Sequence, residues 1–109
     1  MPRVTLFGIT FDSQLESMRD LQLRDMQERG EISGLQVHPR FVISVSPLTK
    51  RERRYTADFE YLRLADGARV VEEVKPRRRK ARSWTRDFPL RIDLARTRYP
   101  DREFLVVPM

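Results

Sequence analysis

Between two runs rich in β-branched and aromatic residues, 55–64 and 68–75, stands Asp66-Gly67, one of the strongest short signals for a β-hairpin because both residues tolerate the positive φ of a tight type I′ turn. With these two residues as the whole loop, Ala65 faces Ala68, Glu60 faces Glu73 and Asp58 faces Lys75. Side chains alternate along a strand, so Asp58, Glu60, Glu73 and Lys75 share one face, while Ala57, Phe59, Tyr61, Val70 and Val74 share the other. One face is expected to be apolar and the other charged. Opposed acids repel, and a cluster of Asp58, Glu60 and Glu73 wants a compensating cation. Lys75 supplies one charge, and a hard divalent ion such as Mg²⁺ or Mn²⁺, which takes oxygen ligands and keeps several waters, would supply two more. A phosphodiester could meet a metal there. The opposing reading is a solvated strand face, and a loop of odd length would split the acids between faces. Glu60 and Glu72 are read as solvated strand residues.

The remaining elements follow from periodicity and punctuation. A short extended start precedes Ser13 and Glu16, which have the spacing of a capping box. Leu15, Met18, Leu21 and Met26 then give an amphipathic helix with one side inward, ended by Gly30. Residues 35–46 read as extended, with Pro39 marking an edge or an interruption, and 47–54 as a polar, basic connection. Phe88, Ile92, Ala95 and Tyr99 line one helical face, and Pro89 fits only in the first turn, which puts the cap near 85–87. Pro100 closes this helix and 103–107 forms a last strand. The expected architecture is a single α/β domain over 1–109, a mixed sheet flanked by helices in the order α-β-β-β-α-β.

A chain of 109 residues can bury roughly two thirds of its unfolded surface, so it needs no staples. It has no cysteine and one histidine, His38, which excludes disulfide frameworks, thiolate zinc sites and histidine-rich metal centres. Any metal must sit on oxygen. Met1 to Thr10 lacks the apolar core of a signal peptide and no run approaches the length of a membrane span, so a cytoplasmic location is expected, that of a host cell if the gene is a phage's. Lys and Arg number 22 against 16 acids, a net charge of +6. Arginine dominates, and its planar fork suits phosphate. The expected partner is a polyanion.

The run Lys75-Pro76-Arg77-Arg78-Arg79-Lys80-Ala81-Arg82 places six cations in eight positions. It reads as a loop that grips phosphates, against the plainer alternative of a solubilising linker. Trp84 could stack on an unpaired base or pack in the core, and Arg51, Arg53 and Arg54 could extend the same surface. No segment looks like a recognition helix, so selectivity for backbone or shape is expected over sequence. Glu16 has the plain role of capping partner to Ser13. His38 reads as a surface or strand-edge residue, with a lesser alternative as a proton carrier.

Taken together, Glu16 on the first helix, Asp58, and Glu73-Val74-Lys75 followed by a helix and a strand resemble the PD-(D/E)xK, or restriction-endonuclease-like, nuclease superfamily. The likeness extends to small phage-associated proteins of that superfamily through Gly8-Ile9-Thr10-Phe11-Asp12-Ser13, Tyr55-x-Ala57-Asp58-Phe59, Val71-x-Glu73-Val74-Lys75, Thr85-x-Asp87-Phe88 and Tyr99-Pro100. Ala57 stands where the superfamily's first motif has proline, and Pro76 where its close relatives more often have glycine. The resemblance implies a metal-dependent endonuclease cutting branched DNA such as Holliday junctions in phage recombination, replication or packaging. It makes Asp58, Glu73 and Glu16 metal ligands for Mg²⁺ or Mn²⁺ and places Lys75 at the attacking water and scissile phosphate. Arg54, Arg77, Arg78, Arg79, Lys80, Arg82 and Trp84 are the expected DNA contacts. A homodimer is expected, with a phage or host protein as a further partner; the alternative is a non-catalytic or partner-dependent DNA-binding protein of the same fold.

Overall fold

The computed structural model describes residues 4–6, 9–11, 13–77 and 87–109. A small antiparallel hairpin, β1 (Val4–Leu6) and β2 (Ile9–Phe11), leads into α1 (Gln14–Glu28). The central sheet has the order β3-β6-β7-β8, built from Ile32–Val37, Phe59–Arg63, Ala68–Lys75 and Arg102–Pro108. Its first three strands are antiparallel neighbours, whereas β8 runs parallel to β7 after the crossover through α2 (Phe88–Arg98). A separate two-stranded ribbon joins β4 (Arg40–Val45) to β5 (Glu52–Thr56). This is a mixed α/β fold in the expected order of helix, three extended runs, helix and strand. Among the described residues, no helix is long and apolar enough to cross a membrane.

Two of the three extended runs are bent, and at the same level. The first breaks at His38-Pro39 between β3 and β4, the second at Ala57-Asp58 between β5 and β6. Proline lacks the N–H that a continuous ladder needs. Around it the strands stay tied, His38 N–H to the Asp58 carbonyl at 2.9 Å and Ala57 N–H to the Pro39 carbonyl at 3.0 Å. His38 takes a left-handed φ of 56°, uncommon for a residue with a Cβ. One long antiparallel ribbon therefore passes from the central sheet into β4–β5 through a shared corner.

The Asp66-Gly67 hairpin forms, but with a different register. Arg63 pairs with Ala68, so the loop is the four residues from Leu64 to Gly67 instead of two. Asp66 explains the difference: its carboxylate accepts from Arg63 Nε (3.1 Å) and Nη2 (2.8 Å) and from the Ala68 N–H (3.1 Å). Gly67 takes the positive φ, 73°, and its N–H closes on the Arg63 carbonyl at 2.8 Å. The slip is of even length, so the paired residues of β6 and β7 keep their expected faces. Phe59 now opposes Glu72 and Glu60 opposes Val71, so the ladder stops one residue short of Asp58 and Glu73.

Both faces of the sheet are covered. On one, α1 buries Leu23 against Ile32, Phe59, Tyr61, Val70 and Val74. On the other, α2 and the ribbon enclose Phe41, Tyr55, Ala57, Val71, Phe88, Ile92, Ala95 and Phe104. Ala57 thus lies on the face opposite to that expected, because the corner turns it away from Phe59. The inward line of α1 also differs: Ser17, Asp20 and Leu23 are buried, while Met18 and Leu21 are about half exposed. Polar partners on the sheet decide this. Arg19 donates to Glu72 through Nε (2.8 Å) and Nη2 (2.7 Å), and Tyr61 OH donates to the same carboxylate.

Glu72 and Glu60, read from the sequence as solvated, are in fact buried at 1% and 5% exposure. Glu60 accepts from Arg102 Nε at 2.9 Å. Each buried charge has a guanidinium to balance it, as burial demands. Arg19→Met should therefore destabilise the fold by about 3 kcal/mol by stranding the Glu72 carboxylate. The double variant Arg19→Met with Glu72→Leu should recover most of that loss, and urea denaturation of the four proteins of the cycle measures both.

Candidate active site at the ribbon corner

Asp58 occupies the corner itself. Its N–H donates to the Glu72 carbonyl (3.1 Å) and its own carbonyl accepts from His38. Released from the ladder, its side chain turns toward β7, where Oδ2 accepts the Val74 N–H at 2.6 Å. Glu73 projects on the α2 side of β7, and its Oε1 accepts from Tyr55 OH at 2.5 Å. The expected partner of Asp58 across the strands was Lys75; with the four-residue loop, Glu73 takes that place.

Glu16 arrives from the first turn of α1. The Ser13 side chain accepts from the Glu16 N–H at 3.2 Å, so the backbone of Glu16 serves the cap. Its carboxylate points elsewhere, to within hydrogen-bonding reach of Asp58 and 3.5 Å from His38 Nε2. Glu16 Oε2 is buried and has no hydrogen-bond partner among the described residues.

The three acids titrate abnormally for one reason, followed by another. Burial raises Asp58 to about 8, helped by the negative charge of Glu73 and resisted by the Val74 N–H. Burial likewise raises Glu16 to about 7, reinforced by the charge of Asp58 and opposed by His38. Glu73 is also raised by burial, against the pull of hydrogen bonds from Asp58 and Tyr55 and of the Lys75 charge. Tyr55 is pushed upward by burial and by Glu73, so its hydroxyl stays a donor. Protons shared among carboxyls relieve the repulsion of acids brought this close.

Lys75 sits at the end of β7 with its ammonium 4.4 Å from the centre of the Phe88 ring, in a cation–π contact that holds it beside α2. Its charge is felt by Glu73. Asp58, Glu73, Glu16 and Lys75 are thus gathered at the corner. The expected DNA contacts Arg78, Arg79, Lys80, Arg82 and Trp84 lie outside the described residues; Arg77 and Arg54 are exposed, with Arg54 paired to Glu52 at 3.0 Å. Tyr55 and His38 join the site without having been singled out for these roles. Tyr55 could have been noticed as lying three residues before Asp58, but no local pattern ties it to Glu73.

The donor set suits a hard divalent cation: oxygen atoms from Asp58 and Glu73 on adjoining segments, with Glu16 close by. Among the described residues, no group of three or more His, Cys, Asp or Glu side chains forms a ready metal cage. A magnesium-type ion does not require one, since it commonly binds one or two carboxylates and keeps its waters.

No curated protein and no solved structure matches the chain. One family model does, described as protein of unknown function (DUF1064), and it covers residues 2–106. Since that span takes in both helices, each acid of the corner and all of the central sheet but the last two residues of β8, the chain belongs to the DUF1064 family.

Proposed function

We propose that this chain is a metal-dependent endodeoxyribonuclease of the PD-(D/E)xK kind, acting on branched or structured DNA such as Holliday junctions in phage recombination, replication or packaging. The observation that carries this reading is a contrast among buried acids. Glu72, Glu60 and Asp20 are each matched to a guanidinium, Arg19, Arg102 and Arg24, at 2.7 to 2.9 Å. Asp58, Glu73 and Glu16 instead crowd together, and burial raises the pKa of each. Such a concentration of desolvated, mutually perturbed acids in one place is what metal and catalytic sites require.

Asp58 and Glu73 would hold the cation, with Glu16 completing or orienting its shell; when bound, it would supply Lewis acidity to a phosphodiester oxygen and acidify water. The chain's own groups do the rest. Val74 N–H and Tyr55 OH fix the two carboxylates in orientation, so no reorganisation is needed when charge develops. Lys75, braced on Phe88, brings positive charge to the developing negative phosphate. Symmetric nicking of a junction calls for a homodimer.

The test is cleavage of four-way junction, flap, duplex and single-stranded DNA with Mg²⁺ or Mn²⁺ against chelator. Asp58→Asn, Glu73→Gln and Lys75→Met should each lower cleavage on the order of 10³-fold, while binding in chelator persists. Tyr55→Phe should cost about tenfold, as an orienting group. Metal-independent binding with no product from any substrate would sink the enzyme and favour a non-catalytic or partner-dependent module.

Stability gives an independent check. The folded chain keeps protons on Asp58 and Glu16 up to about pH 8 and 7, where the unfolded chain has released them above roughly pH 4. The folded state binds more protons in that window, so stability falls as pH rises from about 5 to 8. In chelator, Tm measured by circular dichroism should decline by several degrees over this range, and Asp58→Asn should flatten the decline. At pH 8, millimolar Mn²⁺ should raise the wild-type Tm and leave that of Asp58→Asn unchanged.

A further inference from the structure

Between the ribbon and α2 runs an open groove of about 420 Å³, lined by Ile43, Ser44, Arg53 and Arg54 on one side and by Asp87, Leu90, Arg91 and Leu94 on the other. Both walls grow out of the acid cluster. Arg53 stands two residues before Tyr55, which bonds Glu73, and a register shift between Val42 and Ser44, opposite Arg54 and Arg53, accompanies both arginines lining the same groove. Arg91 stands three residues after Phe88, on which Lys75 rests, and so shares its flank of α2. A strand whose phosphate lay at Lys75 would find this groove next along its path.

The charges suit that occupant. Arg53 makes no ion pair among the described residues. Arg91 has only a loose contact with Asp87, at 3.9 Å, and Arg54 shares the exposed Glu52. These weak surface pairs give way readily to a phosphate, which a guanidinium grips with two donors. Lys50 and Arg51 at the ribbon tip continue the positive sign.

We propose that this groove seats the sugar–phosphate backbone of duplex DNA flanking the cut, with Arg53, Arg54 and Arg91 as phosphate contacts. The proposal rests on the nuclease reading for its substrate. Leu90 and Leu94, 62% and 39% exposed, form the apolar side against which sugar carbons pack. Selectivity through this surface is for backbone path and not for base sequence.

The experiment is fluorescence anisotropy of the full chain with labelled duplex and four-way junction in chelator, across a salt series. The variant Arg53→Gln/Arg54→Gln/Arg91→Gln should bind at least tenfold more weakly at about 0.1 M salt, with a log-log salt slope shallower by about 2 to 3. Single substitutions Arg53→Gln and Arg91→Gln should each lessen the slope by about 1. The control, Arg29→Gln/Arg69→Gln, removes two charges at the hairpin end of the sheet and should leave the slope near the wild-type value, whereas Arg53→Gln/Arg91→Gln should lessen it by about 2. Equal losses in both double variants, or none in either, would overturn the groove. So would a wild-type dimer that the groove triple converts to monomer without altering DNA affinity, since the occupant would then be a second copy. Groove-dependent binding without cleavage on any substrate would instead remove the nuclease reading and leave the groove standing.

Discussion

The corner shared by His38-Pro39 and Ala57-Asp58 separates what would otherwise be one long ribbon into two sheets, and the chemistry of the molecule depends on that separation. Within a regular ladder, a side chain on β6 would stand perpendicular to the sheet and its backbone would be committed on both sides. Because the ladder ends at Phe59, the Asp58 carboxylate can turn and accept the Val74 N–H. Pro39 contributes by the donor it lacks, and His38 by accepting a left-handed φ that costs on the order of 1 kcal/mol. Backbone bonds across the corner hold the distortion in place.

The helix α1 serves two electrostatic regimes from one turn. Glu16 joins the acids of the corner, and Arg19, one turn further, neutralises Glu72 on the next strand position. Glu72 and Glu73 are neighbours in sequence but face opposite layers, one toward α1 and a guanidinium, the other toward α2 and a second carboxyl. Pairing with arginine fixes a charge permanently. In the proposed metal reading the shared protons would give way to a cation, since carboxylate ligands must be deprotonated to bind. Glu72, Glu60 and Asp20 are each held by a guanidinium instead.

Much of this was legible in the sequence because it is local. The Asp66-Gly67 turn, the parity of the strands, the cap at Ser13, the start of α2 around Pro89 and the gathering of Asp58 with Glu73 all follow from alternation and turn chemistry over short spans. What was not legible involves contacts that span the chain. The loop has four residues because Arg63 clasps Asp66, a competition with the two-residue turn that propensity alone does not resolve. Met18 and Leu21 are outward because Arg19 finds Glu72, 53 residues away, and polar pairing overrides the hydrophobic count. Glu60 and Glu72 read as solvated because the arginines that bury them come from α1 and β8. Pro39 marks an edge or an interruption, but that it coincides with a second break at Ala57-Asp58 depends on the register between distant strands.

The two layers over the sheet consequently differ in kind. The α1 layer is closed by Leu23 and the Arg19–Glu72 pair. The opposite layer leaves a gap between β5 and α2, and the residues bordering it are chained to the site: Tyr55 to Glu73, Phe88 to Lys75. A polyanion drawn into that gap would press on the same two elements that orient the carboxylate and the ammonium. Binding and positioning are then not independent properties to be tuned by separate residues. The shape of the ribbon corner sets both, because a rotation of β4–β5 about His38-Pro39 would move Arg53 and Tyr55 together, and with Tyr55 the hydrogen bond that holds Glu73.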